Sequence, residues 1–143
     1  MSVRRAVELN FVKRLEVLLH GTGYAVAESK ELTEERKKPI VVCIAGDATN
    51  PFENLTQSYG NYNVPLSVMV LTSKDSENAT EIHAQVVTLI EQGFRTREFR
   101  KQSIIGGLHL YDCVKGEVSE GSEDRTMGTS VSFQTVVNYQ PTP

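Results

Sequence analysis

The stretch Val64–Gln92, VPLSVMVLTSKDSENATEIHAQVVTLIEQ, sets the tightest limits on what this chain can fold into. Val64, Leu66, Val68 and Val70 alternate with Pro65, Ser67, Met69 and Leu71. That is the period-two pattern of a strand with one aliphatic and one mixed face. Ser73 to Asn78 is a short polar link in which Asp75 or Ser76 is suited to cap a helix. Ala79, Ile82, Val86, Leu89 and Ile90 then recur at helical spacing, and Gly93 supplies a stop. His83, beside Ile82, is expected on the helix surface. A strand and a helix joined by so few residues must pack against each other, helix over sheet.

The flanking segments supply the rest of a small sheet. Val7, Phe11, Leu15 and Leu18, with Val12 and Leu19, form one apolar face over Val3 to His20, and Gly21 and Gly23 end that helix. From Gly23 to Lys38 the pattern is ambiguous, with Tyr24 and Val26 suited to an edge strand. Ile40 to Ala45, IVVCIA, reads as a buried strand. Asp47 to Asn63 is polar. Structureless loops beyond ~12–15 residues are uncommon in compact domains, so Glu53 to Tyr59 is a candidate strand pairing back on Ile40 to Ala45. Phe94 to Gln102 is charged, anchored by Phe94 and Phe99, and suits a short helix. Leu108, Leu110 and Asp112 fall on one face of a further strand. Val118 to Gly128 is acidic and turn-rich, a hairpin connection or a mobile loop. Val131, Phe133, Thr135, Val137 and Tyr139 alternate as a last strand. The expectation is one α+β domain over residues 1–143, with a mostly antiparallel sheet of four to five strands and two main helices on one face. The second, half-apolar face of that sheet would need cover.

Bulk properties exclude several functions. The formal net charge is −3, so no global basic field exists to hold nucleic acid. Two cysteines and an N-terminus without an apolar run argue for reducing cytoplasm rather than a disulfide scaffold. No apolar run approaches the ~18 residues of a membrane span. The charges are unevenly placed: Arg95, Arg97, Arg100 and Lys101 cluster, and so do Glu117, Glu120, Glu123 and Asp124. These are either two solvated segments or complementary patches on neighbouring copies.

Catalytic motifs are missing. No H-E-x-x-H or C-x-x-C spacing exists to hold zinc. His109 and Cys113, four residues apart along one strand at ~3.3 Å per residue, are too distant for a Cys–His pair. Gly106-Gly107 precedes a strand, so it is not a phosphate cradle. No catalytic, cofactor-binding or metal residue is assigned, and no cofactor is implied. The polar middle, with Asn50, Phe52, Tyr59 and Tyr62, is the place for contacts, together with the basic residues and Glu120, Glu123 and Asp124.

The helix VELNFVKRLEVLL, the passage VPLSVMVLTSKDSENATEIHAQVVTLIEQ, and the pair GGLHLYDCVKG and SVSFQTVVNYQ around an acidic loop resemble the tail terminator (tail completion) family of long-tailed bacteriophages. The resemblance implies a non-enzymatic virion subunit, made in the host cytoplasm and placed at the tail end or neck. Such a subunit pairs its sheet with copies of itself as a hexameric ring, caps the tail tube and ends tube polymerisation. Its implied partners are the tail tube protein, a head–tail connector or stopper, and the sheath where the tail is contractile, with no membrane and with DNA only passing through the lumen. A different head–tail or tube-initiating subunit, and a small cytoplasmic enzyme or ligand-binding domain, are the alternatives.

Overall fold

A computed structural model describes residues 2–28, 39–49, 60–75, 77–94, 103–123 and 125–140. The elements are α1 (Val3–Leu18), β1 (Ala25–Glu28), β2 (Ile40–Ala45), β3 (Asn61–Ser73), α2 (Ala79–Gly93), β4 (Leu108–Glu123) and β5 (Thr126–Tyr139). The five strands form one sheet in the order β1-β2-β3-β5-β4. β1 and β2 are parallel and every other pairing is antiparallel. This is the α+β architecture expected; of the ambiguous segment from Gly23 to Lys38, Ala25–Glu28 is a strand and residues 29–38 lie outside the described residues.

Both helices lie on one face of the sheet. Ala6, Val7, Phe11, Val12 and Leu15 of α1, and Val86 and Ile90 of α2, share one buried cluster with alternate residues of the strands: Val41, Cys43 and Ala45; Val64, Leu66, Val68 and Val70; Val131, Phe133 and Val137. The opposite face has a smaller cluster of Ala27, Ile40 and Val42, with Ile44, Met69 and Leu71 partly buried against it. Phe94, one residue beyond α2, stacks on Phe11 at 4.9 Å between ring centres and tilts onto Phe133 at 5.0 Å. Gly93 beside it gives room to α1: a Cβ there would lie 2.7 Å from Leu18 Cδ2 and would require that side chain to move.

β3 is the central strand, yet it contains a proline. Pro65 O accepts from Gly46 N–H at 2.7 Å, on the side where β2 has just ended. In an antiparallel strand the N and O of one residue point the same way. The missing donor of Pro65 therefore faces the end of β2, and the ladder to β5 loses nothing. Gly46 allows the ring this close: a Cβ at Gly46 would sit 2.8 Å from Pro65 Cγ. The backbone of Ala45 is satisfied by α1, with Arg4 Nε donating to its carbonyl at 2.8 Å and its N–H donating to the buried Glu8 carboxylate at 3.0 Å. Arg5 completes the cluster, 2.6 Å from Glu28 and 3.5 Å from Glu8.

Five expectations are corrected. The cap of α2 is neither Asp75 nor Ser76: Asn78 takes the position with a left-handed φ of 57° and no side-chain cap bond. Asp75 instead lies 3.9 Å from Arg125, just past the end of the β3–β5 ladder, which Lys74 N–H extends by donating to Arg125 O at 2.7 Å. Ile82 and Leu89 are only at the shoulder of the buried stripe, and His83 is in it. Asp112 does not continue the face of Leu108 and Leu110, because a bulge at Tyr111 moves Cys113 into that place. Of the two alternatives for Val118–Gly128, the hairpin fits and the mobile loop does not, although strands fill most of the stretch: its residues up to Glu123 belong to β4, and Thr126 begins β5. The polar middle is also shorter than expected, since β3 starts at Asn61. The expected strand at Glu53–Tyr59 lies outside the described residues, as does the expected helix after Phe94; the supposed partner β2 has β1 on one side and β3 on the other.

The aromatic contact makes Phe94→Ala the costliest single truncation expected, about 3–5 kcal/mol in urea unfolding. Gly46→Ala should cost about 1–3 kcal/mol by crowding Pro65. A Phe94→Ala loss under 1 kcal/mol would show that the aromatic group does not fasten the helices.

Candidate functional site

The helical layer stops short of the sheet's edge. α2 covers β3 and β5, and β4 lies beyond it. The result is an open groove of about 650 Å³ between α2 and the distal β4–β5 hairpin. Thr80, Ala84, Val87 and Thr88 form its α2 wall, and Glu120, Ser122 and Met127 its hairpin wall. Lys115 Nζ spans the groove to Glu91 Oε2 at 3.1 Å. Lys74 reaches Ser122 Oγ from the turn after β3.

His83 is at the floor, 9% exposed. Its Nδ1 is 2.6 Å from Thr72 Oγ1 and its Nε2 is 2.7 Å from Thr129 Oγ1. Thr72 Oγ1 in turn is 2.7 Å from the Tyr24 hydroxyl. A buried chain of four polar groups thus joins the lead-in to β1, the end of β3, α2 and β5. Burial pushes the imidazole below its ordinary value of 6.5, and the negative charge of Glu120 pulls weakly the other way. The ring is neutral at neutral pH, with both nitrogens engaged.

That geometry holds structure more readily than it performs catalysis. Cys43 is fully buried and its thiol is pushed well up, first by burial and then by Glu8, so it is not a thiolate nucleophile. His109 is exposed and Cys113 buried, so the bulge at Tyr111 puts them on opposite faces of β4 rather than on one. Among the described residues no group of three or more His, Cys, Asp or Glu side chains could hold a metal ion, and no helix is long and apolar enough to cross a membrane.

Of the contact residues expected from the sequence, Tyr62 and Glu120 have described side chains. Tyr62 is not on a loop tip; it is in β3, half-buried against the main core beside Val137. Glu120 is in β4, on the groove wall. Glu123 ends β4. Asn50, Phe52, Tyr59, Arg95, Arg97, Arg100, Lys101 and Asp124 lie outside the described residues. His83 is the site residue that sequence reasoning missed. Its signal was present: Ala79, His83, Val86 and Ile90 step by four, three and four, and all of them are buried.

No protein-family model and no curated protein sequence matches the chain. A solved structure does match, at a TM-score of 0.59 with 14% sequence identity, over 98% of this chain and 96% of that one. The likeness extends from end to end and concerns the fold alone.

Two pairings in the site separate by magnitude. Thr129→Val removes the partner of a buried ring nitrogen without changing shape, and should cost about 1–3 kcal/mol. Lys115→Ala breaks a half-exposed ion pair and should cost under about 1 kcal/mol, less still in high salt. Urea unfolding of both variants checks the order; the reverse order would mean the polar chain contributes little.

Proposed function

We propose that this chain is a structural subunit of a tailed-phage virion that assembles as a ring, caps the tail tube and presents a surface for head–tail joining. The observation that carries the reading is the edge strand β4. It runs sixteen residues, and among the described residues no strand lies on its outer side. A sheet edge of that length is a template for another chain.

Strand direction supports a head-to-tail arrangement. Because β1 is parallel to β2 and the three following pairings are antiparallel, β1 and β4 run in opposite senses. A copy rotated about an axis along the strands would bring its β1 antiparallel to β4 of its neighbour. That contact is heterologous, and it forms a ring when the rotation closes. Bulges at Tyr111 and between Lys115 and Val118 break up the edge and leave Val118–Glu123 as a regular run. The acidic Glu120 and Glu123 fall in that run, and Arg95, Arg97, Arg100 and Lys101 offer the opposite charge on a neighbouring copy. The tube protein and the head–tail connector would be the partners above and below such a ring, with sheath in a contractile tail and DNA passing through.

A second reading rests on the groove. Its volume of about 650 Å³ falls in the range of small-molecule sites, and hydroxyls of Thr80, Thr88 and Ser122 line it. In that case the protein is a monomeric binding domain.

Light scattering and negative-stain images with polymerising tube subunits separate the two. Under the ring reading, annular particles form alone or on tube ends, and added protein shortens the tails. Tail length unchanged at saturating protein would overturn it. Proline at Glu120, whose backbone N–H points away from β5 because its partner Thr129 bonds to β3, should reduce capping while thermal stability falls little.

A further inference from the structure

We infer that the Tyr24–Thr72–His83–Thr129 chain is a proton-sensitive latch, which seats the first half of α2 on the sheet while His83 is neutral and loosens it when the ring becomes an imidazolium.

The two halves of α2 are held differently. Towards its C-terminus Val86, Ile90 and the following Phe94 are buried in the main core. In the first two turns the buried side chains are Ala79 and His83. Ala79 is small, so most of the anchoring there comes from the imidazole and its two threonine hydroxyls, at 2.6 and 2.7 Å.

A neutral imidazole presents one N–H and one lone pair. In either tautomer, then, one of the two threonine hydroxyls must donate to the ring and the other must accept from it. Tyr24 extends the run through Thr72, giving a head-to-tail chain of the kind in which each hydrogen bond strengthens the next. An imidazolium has two N–H donors and no acceptor. The hydroxyl that had been donating must turn its hydrogen away from the ring, and one direction of the chain is lost. A charge is also left at a 9% exposed position.

The surroundings offer little compensation. From β4, Glu120 faces the ring across the groove and, among the described residues, is the charge that favours the cation; it is exposed and screened by solvent. Glu91, two turns further along α2, is engaged by Lys115. Lys74, at the turn after β3, is engaged by Ser122. β5 presents Thr129 and Met127, β3 presents Thr72, and Tyr24 comes from the lead-in to β1. Burial is the larger effect and favours the neutral ring.

The pH window follows. Above about 6.5 the ring is neutral both folded and unfolded, and the latch contributes fully. As pH falls below that value the unfolded ring binds a proton first, and stability is lost until the folded ring also titrates. The loosening belongs to the N-terminal half of α2, beside Thr80 and Ala84 of the groove wall, so acid should widen the groove at that end. None of this depends on whether the chain forms rings.

The test uses the full chain. The His83 imidazole is titrated by NMR, and amide exchange, corrected for intrinsic chemistry, is followed from pH 7.5 to 5. The expected result is titration below 6.5. Protection of the Ile82–Val87 amides should fall by up to about tenfold per pH unit between the unfolded and folded titration points, while β3 amides change less. His83→Gln, which hydrogen-bonds without titrating, should abolish the dependence, and Glu120→Gln should move it to lower pH. Titration at or above 6.5, flat exchange in the first half of α2, or an unchanged acid response in His83→Gln would each overturn the latch. If His83→Gln does not fold, the wild-type titration and exchange profile decide alone.

Discussion

The stacking of Phe94 between Phe11 and Phe133 is the contact on which the arrangement of layers depends. One ring from the end of α2 touches α1 and the central sheet together, so the two helices cannot shift independently. In a chain with no Trp and 7% aromatic residues, the rest of the core is mostly aliphatic and largely non-directional. Aromatic rings add orientation, because their quadrupoles prefer offset or tilted contacts. Gly93 lies at the same junction, where a Cβ would push against the end of the Leu18 side chain of α1. Asn10 then fastens the chain that follows, its Oδ1 accepting from Ile104 N–H at 2.8 Å.

Buried polar groups define where the sheet may end. β1 is only four residues long, and the last residue of β2 projects past it. With no described strand residue alongside on that side, the amide and carbonyl of Ala45 would be costly to bury unpaired. Arg4 and Glu8 take both, so α1 does for Ala45 what another strand residue would have done. The ion pairs to Arg5 compensate the buried carboxylates of Glu8 and Glu28. Breaking one partner would be costly, whereas the pairs as a whole contribute little net stability. Their effect is to fix the start of α1 over one corner of the sheet.

The sequence made the helices and the alternating strands legible because burial on one face imposes a period, and Val64–Val70 and Val131–Tyr139 carry it without interruption. It failed wherever hydrogen-bonding geometry overrode that period. The bulge at Tyr111 changes the parity of β4, so counting by twos from Leu108 selects Asp112 where the fold buries Cys113. The acidic hairpin looked like a loop because Glu117, Glu120 and Glu123 are poor strand residues. On an edge strand those side chains need no burial, and pairing with Thr126–Val131 suffices. His83 was hidden for a related reason. A histidine next to Ile82 reads as surface, and only the fold reveals Thr72 and Thr129, distant in sequence, as partners for its two nitrogens. Of the candidate site, Glu120 was legible as a charge, while its place across a groove from a buried imidazole was not.

One-sided helical cover links the groove to the open edge. Two helices can roof about four strands, and this sheet has five. The shortfall falls on β4, which among the described residues is also the strand at the end of the sheet, so the open edge and the strip beside α2 adjoin. A neighbouring copy added at that edge would bring its own β1 and the α1 that lies over it, and the second helix would come to rest alongside α2. In such a ring the groove would be the space a continuing layer occupies; its walls mix small and hydroxyl side chains with Val87 and Met127. A polar anchor suits α2 in such a position better than a larger apolar one. The first half of the helix borders solvent on its groove side, where a big hydrophobic anchor would add to the exposed apolar surface already carried by Ile82 and Leu89.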